Sequence, residues 1–267
     1  MRWPADYHTH NALCRHAAGA PWEYAARAVA LGLQEIGCSD HAPLPQDDFD
    51  NWRMYQRQLD EYVAAVEEAR QRFPQLTIRL ALEVDFIPGQ EDWIHQLAAR
   101  HPWDYFIGSV HYVAEGWDVD NPNKMDEWAN RSVDAVWEEY LNRLQASIGS
   151  GLFDIIGHCD LPKKFGHRPQ KDWLPRYREI MHAAAAANVA IEINTAGWRK
   201  DCREQYPAQA ILTAAREAGV ALTFGSDAHA PAEVGAGWTE AIALAKAVGY
   251  THWRQFCRRK PQAIPLE

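Results

Sequence analysis

The sequence predicts an α/β fold, a TIM-like barrel of seven βα units with a metal site at the C-terminal ends of its strands. Three observations predict it. Short apolar segments alternate with amphipathic ones almost to the end of the chain, and histidines and acids cluster just after the apolar segments. The length, 267 residues, suits one barrel domain over 1–267, since such a barrel needs roughly 250. An open doubly wound sheet is the alternative, but it gathers ligands at one switch point, whereas motifs at successive strand ends favour closure.

Taken in order, the first strand is expected at Asp6–His8, before a helix over Pro21–Leu31 that opens on proline. Leu33–Gly37 is the second strand, and Pro43–Asp50, rich in Pro and Asp, reads as a long loop at the mouth of the site before a helix over Arg53–Phe73. Leu76–Glu83 precedes the helix Gly89–Arg100. Tyr105–Val110 precedes the clearest helix, around Met125–Ile148, where Val133, Val136, Trp137, Tyr140, Leu141, Leu144 and Ile148 recur on one helical face. The last units pair Phe153–Gly157 with Lys171–Ala187, Val189–Ile193 with Pro207–Ala218, and Ala221–Phe224 with Pro231–Val248. Asn188, Gly219 and Gly249 stop their helices. Strands separated by helices pair in parallel through right-handed crossovers.

Composition narrows the function. With 47% hydrophobic residues and 12 Trp, the chain can build a core without metal staples, so a metal here would serve function rather than folding. The net charge of −9, from 27 basic and 36 acidic residues, comes without a Lys/Arg block, which argues against a nucleic-acid partner. Five cysteines form no CxxC pair, against both a disulfide framework and a thiolate zinc site. The segment from Met1 to Asp6 has no apolar signal core, and no run reaches the roughly 20 apolar residues of a membrane helix. A soluble, cytoplasmic protein without a membrane partner is expected.

The chemistry sits in short motifs: His8-Thr9-His10, Ser39-Asp40-His41, Glu83-Val84-Asp85, Ser109-Val110-His111, Gly157-His158-Cys159-Asp160 and Ser226-Asp227-Ala228-His229. His8 and His10, two apart on a strand, share a face and can chelate one ion. A lone HxH is weak evidence, but a barrel funnels His41, Glu83, His111, His158, Asp227 and His229 to the same mouth. Imidazole and carboxylate without thiolate suit Zn²⁺, Fe²⁺ or Mn²⁺. Glu83 can bridge two ions through its two oxygens. Asp40, Asp85 and Asp160 are expected behind the ligands, accepting imidazole N–H groups. His16 lies in a loop, where position alone does not separate a ligand from a bystander. His95, His101, His167, His182 and His252 fall outside the pattern as solvent-facing or capping residues, and Cys14 and Cys159 are expected as buried, inert thiols.

The ordered series HTH, CRHA, SDHAP, LEVDF, IGSVHY, FDIIGHCDLPKKFGHRP, EINTAGWRK and FGSDAHAPAEVG resembles the polymerase-and-histidinol-phosphatase (PHP) superfamily, in particular its histidinol-phosphate phosphatase branch. The match spans nearly the whole chain. The resemblance implies a distorted (β/α)7 barrel holding three divalent ions: His8, His10, Glu83 and Asp227 on one, Glu83, His111 and His158 on a second, and His16, His41 and His229 on a third. It also implies hydrolysis of L-histidinol phosphate to L-histidinol and phosphate, in histidine biosynthesis, by a monomer or homodimer.

At such a site two ions would share a water, lower its pKa toward neutrality and aim it at phosphorus. Arg199, Lys163 and Lys164 are candidates for a phosphate clamp, against the reading that they are loop cations in solvent. Asp160, holding a water, or a histidine would protonate the leaving alkoxide. An acidic and aromatic rim of Tyr112, Glu115, Trp117 and Asp118 would suit the imidazole and ammonium of the substrate. The alternatives are a PHP phosphoesterase for another small monoester or nucleotide and a noncatalytic metal-binding module. An amidohydrolase also begins with HxH, but it would need a carbamylated lysine at a central strand end, and the expected strand ends offer none.

Overall fold

Short apolar runs bounded by helices pair side by side, as the alternation predicts. The computed structural model describes residues 3–267; Met1 and Arg2, at the head of the segment expected to lack a signal core, lie outside the described residues. The strands are β1 (Glu35–Cys38), β2 (Thr77–Asp85), β3 (Tyr105–Ser109), β4 (Tyr112–Ala114), β5 (Trp117–Asp118), β6 (Ile155–Ile156), β7 (Ala190–Asn194), β8 (Leu222–Gly225), β9 (His252–Cys257) and β10 (Lys260–Pro265). The helices are α1 (Pro21–Ala30), α2 (Leu59–Arg72), α3 (Glu91–Arg100), α4 (Asp126–Ala129), α5 (Val133–Gly149), α6 (Leu174–Ala186), α7 (Gln209–Glu217) and α8 (Trp238–Val248).

Six strands form a curled parallel sheet in the order β1-β2-β3-β6-β7-β8. Intervening helices carry the chain from each strand to the next, and buried side chains such as Ile36, Leu82, Phe106, Ile155, Ile191 and Phe224 fill the sheet's faces. Near-continuous burial along every strand is what helix-covered parallel sheets require.

The expected first strand, Asp6–His8, makes single parallel bridges instead, Asp6 with Ile36 and Thr9 with Ala228. Its backbone reaches both edges of the sheet: the Tyr7 N–H donates to the Phe224 carbonyl at 2.9 Å, and the Gly37 N–H donates to the Asp6 carbonyl at 2.7 Å. Side chains take over part of the ladder. The Asp6 carboxylate accepts the N–H groups of Ser226 and Gly235, and Ser39 Oγ accepts that of Thr9.

Several helix boundaries differ from expectation for local reasons. The helix expected over Met125–Ile148 is split: α4 ends at Ala129 with Asn130 as its C-cap, and Ser132 caps α5 by accepting the Ala135 N–H. The one expected from Arg53 starts at Leu59, since Arg53 is drawn into ion pairs with Asp50 and Asp85. Asp172 accepts the Leu174 N–H, and α6 starts there. The segment from Pro231 makes one 3₁₀ turn before Gly237, at φ 75°, sets the entry to α8.

Two antiparallel hairpins, β4–β5 and β9–β10, were not expected. The second places His252 in a strand and packs at the strands' N-terminal ends, where Phe256 N–H donates to Tyr7 Oη and Arg258 N–H to Asp104. No helix among the described residues is long and apolar enough to cross a membrane.

Candidate metal centre

The curled sheet brings all nine expected ligands to one place. His8 and His10 project from the first segment with ring centroids 5.1 Å apart, and His41, His111, His158, Asp227 and His229 follow β1, β3, β6 and β8. Glu83, from β2, lies at the centre. Its Oε1 accepts from Ser109 Oγ at 2.6 Å and lies 2.9 Å from His158 Nε2 and 3.6 Å from His111 Nε2. Its Oε2 lies 2.7 Å from His41 Nδ1, 3.4 Å from His8 Nε2 and 3.6 Å from His10 Nε2. Asp227 Oδ1 lies 3.1 Å from His10 Nε2. Asp227 adopts φ 51°, in the left-handed region that Asp tolerates better than most residues, and so turns its carboxylate toward the two histidines of the first segment.

A second layer fixes which nitrogen faces inward. His8 Nδ1 meets both oxygens of Glu192 at 3.0 Å, His10 Nδ1 meets Asp40 at 3.3 Å, and His111 Nδ1 meets Asp85 at 2.7 Å. In each ring the remaining Nε2 points at the cluster. His16 and His229 direct Nδ1 to the Cys14 and Asp227 carbonyls, leaving their Nε2 atoms 2.9 Å apart. Asp40 and Asp85 thus stand where expected. Glu192 carries little sequence sign, being one buried acid in an apolar strand, yet it also accepts the His158 N–H and Asn194 Nδ2.

The donor set fits divalent cations. Nε2 of His8 and His10, Nδ1 of His41 and Oε2 of Glu83 are buried and make no well-directed hydrogen bond, although His41 Nδ1 and Glu83 Oε2 lie 2.7 Å apart, an arrangement that costs free energy unless a cation satisfies them. Four groups each gather ligand atoms within 4.8 Å: His10, His41 and His229; His8, His10 and Asp227; His8, Glu83 and His158; and His10, Cys14 and Asp40. The electrostatics agree. Burial disfavours the charge of Glu83, but His41, His8 and His111 outweigh it and hold the carboxyl well below the usual range. Asp227 is held down in the same way by His8, His10 and His229. Burial and the neighbouring His10 charge push His229 well below the ordinary imidazole value. Cys14 and Cys159 are buried, and burial pushes both thiols up, so neither competes as a thiolate.

A cavity of about 450 Å³ opens over the cluster. Seven of the ligands line it, all but the buried His8 and His10, and the rest of its wall includes Arg15, Trp52, Asp118, Asp120, Lys164 and Lys200. Of the expected clamp cations only Lys164 lines it. Lys163 is withdrawn: it is fully buried, and its ammonium binds Asp160 Oδ2 at 2.7 Å, Glu204 Oε2 at 3.0 Å and the Gln205 carbonyl at 2.7 Å. Asp160, so paired and also accepting the Ala208 N–H, does not line the cavity. Arg199 lies outside the lining too, donating from Nη2 to the carbonyls of Ser226 and Asp227.

The expected rim is mostly elsewhere. Trp117 is buried against Trp128, Tyr112 donates to Asp50, and Glu115 is exposed away from the opening. Asp118 alone lines the cavity. Trp52 closes one wall edge-on to His41 and His111, at centroid distances of 4.7 and 5.2 Å. Among the other histidines, His95, His101 and His182 lie on or at helices, and His167 stacks on Trp128 at 4.0 Å.

Residues 6–196 match the PHP domain family, and residues 209–247 match the family described as PHP-associated. A protein of Deinococcus radiodurans named "Probable histidinol-phosphatase" is 42% identical over 246 residues, covering 91% of this chain and 93% of that one. The histidinol-phosphatase of Bacillus subtilis is 29% identical over 255 residues, covering 86% and 95%. Among solved structures, histidinol phosphate phosphatase from Lactococcus lactis, complexed with zinc, L-histidinol and phosphate, superposes with a TM-score of 0.83 at 22% identity, over 98% of this chain and 100% of that one.

Proposed function

Because the chain belongs to the PHP family, we propose that it is a metal-dependent phosphomonoesterase that hydrolyses L-histidinol phosphate to L-histidinol and phosphate. The observation that carries the chemistry is the convergence of seven imidazoles and two carboxylates on one cluster, of which five imidazoles and both carboxylates line one cavity while His8 and His10 are buried. Similarity to histidinol-phosphatases over most of the chain supports the substrate.

His8, His10, Glu83 and Asp227 would hold one ion, Glu83, His111 and His158 a second, and His16, His41 and His229 a third. Zn²⁺, Fe²⁺ and Mn²⁺ all suit this donor set. Bound there, the ions would lower the pKa of water and polarise the phosphoryl oxygens. The chain's own residues supply orientation and charge. Glu192, Asp40 and Asp85 keep Nε2 of their histidines aimed inward. The ammonium groups of Lys164 and Lys200, both on the cavity wall, are the cations we assign to the phosphoryl oxygens, replacing Lys163 and Arg199 in that role. The leaving alcohol departs through the mouth beside Trp52.

The reading extends to architecture. Residues 1–267 form one domain in which the segment around Asp6–His10 counts as the first strand of a distorted (β/α)7 barrel, supported by its backbone bonds to both sheet edges. It places the enzyme in the cytoplasm, in histidine biosynthesis, as a monomer or homodimer with no nucleic-acid or membrane partner.

The test is phosphate release from L-histidinol phosphate against a panel of sugar, nucleotide and amino-acid phosphates, with protein of assayed metal content. Strong preference for L-histidinol phosphate, abolished by chelation, is expected. Metal-replete protein inert toward every ester would favour a noncatalytic module instead.

A further inference from the structure

Four acids line the cavity, and one of them has no assigned task. Glu83 and Asp227 face the histidine cluster. Asp118 gives its carboxylate to Trp52 Nε1 at 3.0 Å, Asn121 Nδ2 at 2.9 Å and Lys124 Nζ at 2.6 Å. Asp120 accepts from the Lys164 ammonium through its carbonyl at 2.8 Å and through Oδ2 at 2.9 Å, and no described residue donates to its Oδ1. The side chain is 20% exposed, so that oxygen is within reach of a ligand.

Lys164 is the cation assigned above to the phosphoryl group. The wall therefore presents a positive and a negative group side by side, 2.9 Å apart. A phosphate monoester of a 2-amino alcohol carries the mirror arrangement: four bonds separate its nitrogen from phosphorus, a span of at most about 5 Å. With its phosphoryl oxygens on Lys164, such a molecule brings its ammonium against the free oxygen of Asp120.

We propose that Asp120 is a specificity-determining residue that binds the substrate ammonium, so that the site selects phosphate monoesters of 2-amino alcohols. This rests on the phosphomonoesterase reading above and deepens it. Burial alone would favour a neutral acid, but the Lys164 ammonium 2.9 Å away holds the Asp120 carboxyl below the usual range, so it meets the substrate ammonium as a carboxylate. Selection also works by exclusion. An ester without the amine would cover Oδ1 and leave it unpaired, which lowers affinity for the wrong substrate.

The test compares kcat/KM for L-histidinol phosphate and for its des-amino analogue, 3-(imidazol-4-yl)propyl phosphate, on metal-loaded wild type, Asp120→Asn and Asp120→Glu. Wild type is expected to favour the amine by about 10–100-fold, the range for a hydrogen bond between charged groups. That ratio should fall to within about threefold in Asp120→Asn and recover in part in Asp120→Glu. An unchanged ratio in Asp120→Asn, with both substrates losing equally, would mean that Asp120 only tethers Lys164 and overturns the proposal. Equal use of both esters by wild type overturns ammonium recognition but leaves the phosphatase standing. Failure of metal-loaded wild type to turn over either ester removes the phosphatase reading, and this inference with it.

Discussion

The Nε2 atoms of His16 and His229 face each other at 2.9 Å, although each ring already donates its Nδ1 proton to a backbone carbonyl. Burial and the nearby His10 charge keep both rings below the ordinary imidazole value, so a shared proton is disfavoured. Two lone pairs at that range repel each other unless a cation meets both. Two nitrogens about 2.1 Å from one zinc in a tetrahedral site lie about 3.4 Å apart, within roughly half an ångström of this pair. The pair has the spacing of two ligands to one ion.

His16→Ala should therefore lower the metal content by about one ion per chain and slow turnover at least ~10-fold. Elemental analysis of the purified variant checks it. A full metal complement in His16→Ala would take His16 out of the ligand set.

Glu192 makes the most contacts of the residues behind the cluster, accepting from His8 Nδ1, the His158 N–H and Asn194 Nδ2. Glu192→Gln keeps an acceptor but removes the charge that fixes the His8 tautomer. Metal affinity should drop by about 10–100-fold, as for other partners of metal-bound histidines. Competition with a chelator reads this directly, and a titration curve that overlays wild type would refute the role.

Period and position carried much of this architecture in the sequence. The alternation of apolar and amphipathic runs gave the parallel sheet, and motifs placed after strands gave the converging histidines. What stayed hidden depends on direction in space. Lys163 and Lys164 are neighbours on a tight turn where successive side chains diverge by roughly 120°, so one enters the core and the other the cavity; sequence adjacency cannot say which. Glu192 looks like any strand residue until His8 is placed beside it. Asp120 and Trp52 sit on loops whose path is set by tertiary ties such as Arg15 to the Asp50 and Arg53 carbonyls. The β9–β10 hairpin has weak alternation and two arginines at its turn, Arg258 and Arg259, with positive φ, a conformation that usually announces itself through Gly or Asn.

Lys163 supplies a test of the distinction. Its ammonium is fully buried between Asp160 and Glu204, and removing one partner of a buried pair leaves an uncompensated charge, at a cost of about 3 kcal/mol or more. Lys163→Met should lower the denaturation midpoint accordingly while metal content and KM stay near wild type. A raised KM at unchanged stability would return Lys163 to the phosphate clamp.

The cluster also sets a pH dependence whose sign differs with and without metal. In chelated protein burial opposes the charge on His10 and His111, but Asp227, Asp40 and Glu83 lift His10 to about 9, and Asp85, Asp120 and Glu83 lift His111 to about 10. Folded protein thus holds these protons more tightly than unfolded chain, where histidine titrates near 6.5. Their stabilisation is complete below about pH 6.5 and fades as the pH rises through about 9 and then 10. Glu83, Asp85 and Asp227, held below the usual carboxylate range, act in the other sense, contributing above about pH 4 and losing that contribution as the pH falls. Metal displaces the histidine protons, so ion binding should strengthen over the same interval in which the metal-free protein weakens. The Tm of chelated protein is expected to fall between pH 7 and 10 while that of metal-loaded protein stays nearly level, with proton release on metal binding visible as a buffer-dependent heat. A chelated protein with a flat Tm across that interval would show that the acids around His10 and His111 do not hold them charged.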